Sequence, residues 1–247
     1  MDLQQDLVAI AFLVGYYLAF AIPIALLSAF LPEAKREPIR KSYHIFASLS
    51  IIIILRFFST WYSALISVLL IMVTALVLVV ILEKFKAAPI TKVKRYSKKS
   101  EIPFQIGYIC IVLIVLLTLF WGILGDEFKF IAAIGVVAWG FGDATSALVG
   151  KSIGRNQLKQ KIFDGKKTQE GTIAGTLAAS AGVFAVLLFF NPLAIPGQIV
   201  LAIFAGITSA VVEASSRKGI DTLTVPLFVC AGATPVYLLL NYLEGLF

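Results

Sequence analysis

The chain has 247 residues, 60% of them hydrophobic and only 14% charged, with a mean hydropathy of +0.95 and a net charge of +7. Soluble domains run to roughly 45–50% apolar and about 25% charged residues, so this composition excludes a water-soluble globule, a disordered tail and a disulfide scaffold. Length alone gives no reason to divide 1–247 into more than one unit.

A helix that crosses hydrocarbon needs about 20 mostly apolar residues, because its backbone must satisfy its own hydrogen bonds there. In chain order, eight stretches qualify: 7–31, 43–58, 61–82, 102–121, 128–149, 172–190, 198–214 and 223–240. Thr60, Gly122, Gly125 and Asn191-Pro192 punctuate them as turn residues do. The expectation is an all-α polytopic membrane protein of about eight transmembrane helices. Asp2 and Asp6 precede the first run, which lacks a basic leader, so a retained helix is expected rather than a cleaved signal peptide. Cys110 and Cys230 fall inside apolar runs and read as small packing residues.

The cations then set orientation. Of the 21 Lys and Arg, 19 fall in the loops after the first, third, fifth and seventh stretches, and only Arg56 and Lys129 fall elsewhere. Cytoplasmic loops carry the Lys and Arg excess, so those four loops are expected inside and both termini outside. The basic run 92–99 reads as a juxtamembrane loop touching lipid phosphates, not as a nucleic-acid surface. Arg56 is expected to snorkel to the outer interface.

Polar residues inside or beside hydrocarbon are costly and point to function. Four acids stand at the cytoplasmic ends of the later spans: Asp143, Glu170, Glu213 and Asp221. Antiparallel connectivity puts them at one depth, where Asp143, Glu170 and Glu213 are candidate ligands for a hard cation such as Mg²⁺, which takes a couple of carboxylates together with water and substrate phosphates. The loop 150–171 supplies glycines and six cations, among them Lys151, Arg155, Lys166 and Lys167, and Lys166-Lys167-Thr168 leads into a helix whose first amides favour an anion. It is not a Walker A loop. The GxxxG spacings of Gly150 with Gly154 and Gly171 with Gly175 also fit close helix packing, and such faces would permit a homo-oligomer. Arg40, Lys41 and His44 open the second span on the same side, and His44 is the one histidine in the sequence. That excludes a multi-histidine metal site and leaves His44 as a phosphate ligand, a proton relay or a structural residue.

Four pieces in order resemble the CTP-dependent lipid-alcohol kinases: dolichol kinase, phytol kinase and the fungal-type diacylglycerol kinase. They are Arg40-Lys41-x-x-His44; Gly142-Asp143-Ala-x-x-Ala147-x-x-Gly150-x-x-x-Gly154; Lys166-Lys167-Thr168-x-Glu170-Gly171-Thr172; and Glu213 followed by Asp221-Thr-Leu-Thr-Val-Pro226. Thr222 stands where that family usually carries Asn. The resemblance implies CTP as phosphate donor and a membrane lipid alcohol as acceptor, with Mg²⁺ held by Asp143 and Glu170 or Glu213. It further implies phosphate contacts from Arg40, Lys41, Lys151, Arg155, Lys166, Lys167 and Thr168, and catalytic roles for Asp143, Lys167 and Asp221 or His44. The middle two pieces are also similar to CDP-diacylglycerol synthases. The alternative they imply is a CTP-dependent cytidylyltransferase acting on a lipid phosphate. A transporter would place its acids near the middle of the bilayer instead.

Overall fold

The computed structural model describes residues 2–30, 36–84, 102–158, 167–216 and 219–245. Among them the backbone forms eight α-helices, one for each apolar stretch: α1 (Leu3–Phe30), α2 (Arg36–Phe57), α3 (Trp61–Lys84), α4 (Ile102–Leu116), α5 (Lys129–Ser152), α6 (Gln169–Phe190), α7 (Ile195–Ser215) and α8 (Asp221–Glu244). A π-helical segment, Leu117–Ile123, prolongs α4. Five segments are long and apolar enough to cross a membrane: Leu3–Phe20, Asp126–Ser152, Gln169–Phe190, Ile195–Ser215 and Asp221–Glu244. The apolar parts of α3 and α4 that qualify are shorter, Trp61–Val77 and Gly107–Ile123. The architecture is that of an all-helical membrane protein.

α2 begins seven residues before the apolar run from which it was expected, so Arg40 and Lys41 are helical rather than loop residues. Hydropathy marks where hydrocarbon begins. Arg, Glu and Lys are good helix formers, and a proline in the first turn gives up an N–H that had no partner there. The polar segment therefore simply extends the coil.

α5 is the centre of the bundle. In its 18-residue apolar window 72% of residues are buried, against 17 to 44% in those of the other four crossing segments. Its small side chains let neighbours close in on every side. A Cβ added at Gly135 would lie 2.7 Å from the Pro226 carbonyl oxygen of α8, and one at Gly140 would lie 2.7 Å from the His44 carbonyl oxygen of α2. A Cβ at Gly142 would meet Ser209 Oγ of α7 at 3.0 Å, and one at Gly175 of α6 would meet the Gly142 carbonyl oxygen at 3.0 Å. Outward faces are apolar, as with Ile66, Leu70 and Val73 of α3 and Leu177 of α6.

Two buckles fix the end of the bundle where the chain-terminal helices finish. Buried Asp6 near the start of α1 accepts from Ser59 N at 2.8 Å and from Ser59 Oγ at 3.0 Å, just past the end of α2. Glu244 at the end of α8 accepts from Ala194 N, just before α7, at 2.9 Å. The start of α1 and the end of α8 thus share one end of the bundle. The start of α2, the end of α5, the end of α7 and the start of α8 share the other, and the chemistry collects there.

Candidate functional site

Lys41 and His44 are three residues apart, which sets them on one face of α2. That face meets α5 at Asp143. Lys41 Nζ lies 2.5 Å from Asp143 Oδ1, and both side chains are buried, at 5% and 8% exposure. His44 Nδ1 stands 2.8 Å from Asp143 Oδ2, an ion pair when the imidazole is protonated. The partners come from positions 102 residues apart. The sequence places a carboxylate, an ammonium and an imidazole at one helix seam.

A second cluster adjoins the first. Ser146 lies one turn after Asp143 on α5 and donates to Glu213 Oε1 of α7 at 2.8 Å. Lys167, at the entry to α6, reaches the same Oε1 at 2.9 Å and also donates to the Glu213 backbone carbonyl. Asp221 opens α8, where an acid suits the positive end of the helix, and its Oδ1 accepts from Thr222 N at 2.9 Å. Its charge interacts with those of Asp143, Lys167 and Lys41. Five sequence-predicted residues, Lys41, His44, Asp143, Lys167 and Glu213, therefore meet in two contacting pairs of elements, and Asp221 shares their field.

Other predicted residues have different surroundings. Glu170 turns toward the loop, accepting from Asn156 N at 3.2 Å and Asn156 Nδ2 at 2.9 Å. Thr168 caps α6, its Oγ1 accepting from Gly171 N at 3.2 Å. The hairpin that leads there is pinned by Gln169 N on the Asn156 carbonyl at 2.8 Å and Leu158 N on the Lys167 carbonyl at 2.9 Å. Gly150, Gly154 and Gly171 pack around Thr168 rather than lining an open cradle. Lys151 and Arg155 are exposed at the end of α5 and in the following turn. Lys166 and the Arg40 side chain lie outside the described residues. Among the described residues, no three His, Cys, Asp or Glu side chains stand together as a metal cage.

Two residues escaped the sequence reading. Ser146 shares a helix face with Asp143 by its i+3 spacing and couples the two clusters. Trp139 sits one turn before Asp143, its ring 5.1 Å from that of His44. It is 6% exposed, and among the described residues its indole Nε1 has no hydrogen-bond acceptor. A buried donor left unmatched costs about 1–3 kcal/mol. The i−4 spacing from Asp143 was the available signal. Cys230 Sγ bonds the Ile131 carbonyl at 3.2 Å and Cys110 Sγ contacts Met72 Sδ at 3.7 Å, so both cysteines are packing residues.

No family model matches the chain, and no solved structure matches it. Over 99 residues the chain is 38% identical to the phytol kinase of Synechocystis sp.. The match covers 39% of this chain, which thus spans about 40% of the length of that curated relative.

Proposed function

We propose that this protein transfers the γ-phosphate of CTP to the hydroxyl of a membrane lipid alcohol, of polyprenol, dolichol or phytol type or a diacylglycerol, releasing CDP at the cytoplasmic face. The observation that carries this reading is Asp143. It is a buried carboxylate held by Lys41 and beside His44, at the polar end of an otherwise apolar bundle. The local likeness to a phytol kinase supports the same reaction class.

The acceptor's tail would lie among the helices and its hydroxyl at the site end, so that two substrates from different phases meet in fixed orientation. The hydroxyl oxygen attacks the γ-phosphorus, the bond to the β-phosphate oxygen breaks, and the hydroxyl proton passes to Asp221 or His44. Lys41 and Lys167 already neutralise carboxylates and would exchange part of that pairing for phosphate oxygens, with Arg40, Lys151, Arg155 and Lys166 drawing the nucleotide in. Asp143, with Glu213 or Asp221, would hold Mg²⁺, which supplies charge neutralisation along the phosphates. Glu170 and Thr168 would shape the hairpin that carries Lys167.

The test is purified protein with CTP and a panel of lipid alcohols, followed by identification of the nucleotide product. CDP with a phosphorylated lipid is expected. Pyrophosphate with a lipid phosphate as acceptor would point to the cytidylyltransferase alternative. Asp143→Asn is expected to lose at least ~100-fold in rate per folded molecule, with the folded fraction measured alongside because Lys41 is then left unpaired; full activity in that variant would remove Asp143 from the reaction.

A further inference from the structure

Among the described residues, Trp139 Nε1 is a buried donor with no hydrogen-bond partner, near His44 Nδ1, which stands 2.8 Å from Asp143 Oδ2. The rings that carry them are 5.1 Å apart and tilted by 40°. Buried indole N–H groups ordinarily find an acceptor. Trp139 has none, although it is enclosed between α5 and α2 and 94% shielded from solvent. Lys41 is a donor and offers an indole nothing, and Ser48 Oγ, which donates to the Ile45 carbonyl, makes no hydrogen bond with Nε1. What Trp139 Nε1 lacks is an oxygen that accepts from it, and a neutral one could also face His44 and Asp143 with a proton. An alcohol hydroxyl has that chemistry, with two lone pairs and one hydrogen. A phosphate oxygen would bring negative charge toward Asp143.

The geometry points to Trp139 as the residue that binds the acceptor's hydroxyl: its indole N–H donates to the alcohol oxygen and leaves the hydroxyl hydrogen directed at His44 or Asp143. This rests on the lipid-alcohol reading above and assigns its acceptor subsite. Trp139 lies on the interior side of Asp143, so a hydroxyl held there has its tail running into the bundle.

The experiment compares labelled phytol with phytane, the same chain without the hydroxyl, binding to the full-length protein in nanodiscs without nucleotide. Trp139→Phe is expected to weaken phytol about five- to tenfold, the worth of one hydrogen bond, and to leave phytane affinity unchanged. β-(3-Benzothienyl)alanine at position 139, which keeps the shape and removes only the N–H, should reproduce that loss and guards against misfolding of the Phe variant. Equal weakening of both ligands, or no loss with the thienyl isostere, overturns the assignment. Wild-type protein that binds phytol through Trp139 but transfers no phosphate would sink the kinase reading and leave the subsite standing. Turnover with an unaltered phytol KM in both variants would do the reverse.

Discussion

Asp143 sits in a balance that each neighbour helps to keep. Its charge is buried with Lys41, and removing one member of such a pair leaves the other uncompensated in a low-dielectric seam. Lys41→Met is therefore expected to lower stability by about 3–5 kcal/mol, read as a fall in thermal midpoint in detergent. Lys41→Met combined with Asp143→Asn should recover at least half of that loss while remaining inactive. A double variant as unstable as the single would show that Lys41 acts by packing its stem and not by charge. Lys41, His44 and Asp143 were legible as residues because hydrocarbon tolerates polar groups only with cause. Their partnership was not, since it is made by the packing of α2 on α5 across 102 positions. Trp139 was invisible for a different reason: an aromatic residue inside an apolar run is the ordinary material of a helix interface, and only its unmatched N–H sets it apart.

Among elements, the α5–α6 seam decides whether Ser146 can bridge to Glu213. A Cβ on Gly175 would come within 2.9 Å of Ser146 Cβ and 3.0 Å of the Gly142 carbonyl oxygen, and one on Gly171 within 2.6 Å of the Ser146 carbonyl oxygen. Gly175→Leu should thus force the helices apart, with a cost of about 1–3 kcal/mol and loss of activity, because Ser146 and Glu213 no longer share a contact. By contrast Gly15 and Gly107 have open space around the missing Cβ. Alanine there should raise stability by about 0.5–1 kcal/mol without touching activity. Thermal unfolding and turnover of the three variants check both statements; an unperturbed Gly175→Leu would mean that the seam is looser than its glycines require. The helices themselves were readable from hydropathy, and their ends less so: α2 extends through Arg36 because a helix can run on past the hydrocarbon boundary. The glycines of 150–171 could be read either as a phosphate cradle or as packing, and spacing alone carries no information that separates these. The structure packs Gly150, Gly154 and Gly171 on Thr168, the cap of α6.

For the whole molecule, the antiparallel path and the two buckles put Asp6 and Glu244 at the end opposite to Asp143. Charge segregation in the sequence further predicts which end is cytoplasmic. Ser152→Cys at the end of α5 and Glu127→Cys just before its start are both exposed. In intact cells a membrane-impermeant maleimide is expected to label Glu127→Cys directly and Ser152→Cys only after permeabilisation. The opposite pattern would turn the protein over and place the proposed nucleotide reaction outside.

The enclosure of α5 separates two jobs that most membrane proteins mix. Lys41, His44, Asp143, Lys167 and Glu213 are gathered around one shielded post, while the outer skin is of replaceable Leu, Ile, Val and Phe such as Ile66, Leu70, Leu177, Val211 and Phe228. Repainting that skin with Glu, Lys and Gln should release the bundle into plain aqueous buffer with its interior intact. The proposed reaction could then be tried on short, soluble alcohols, free of any membrane at all.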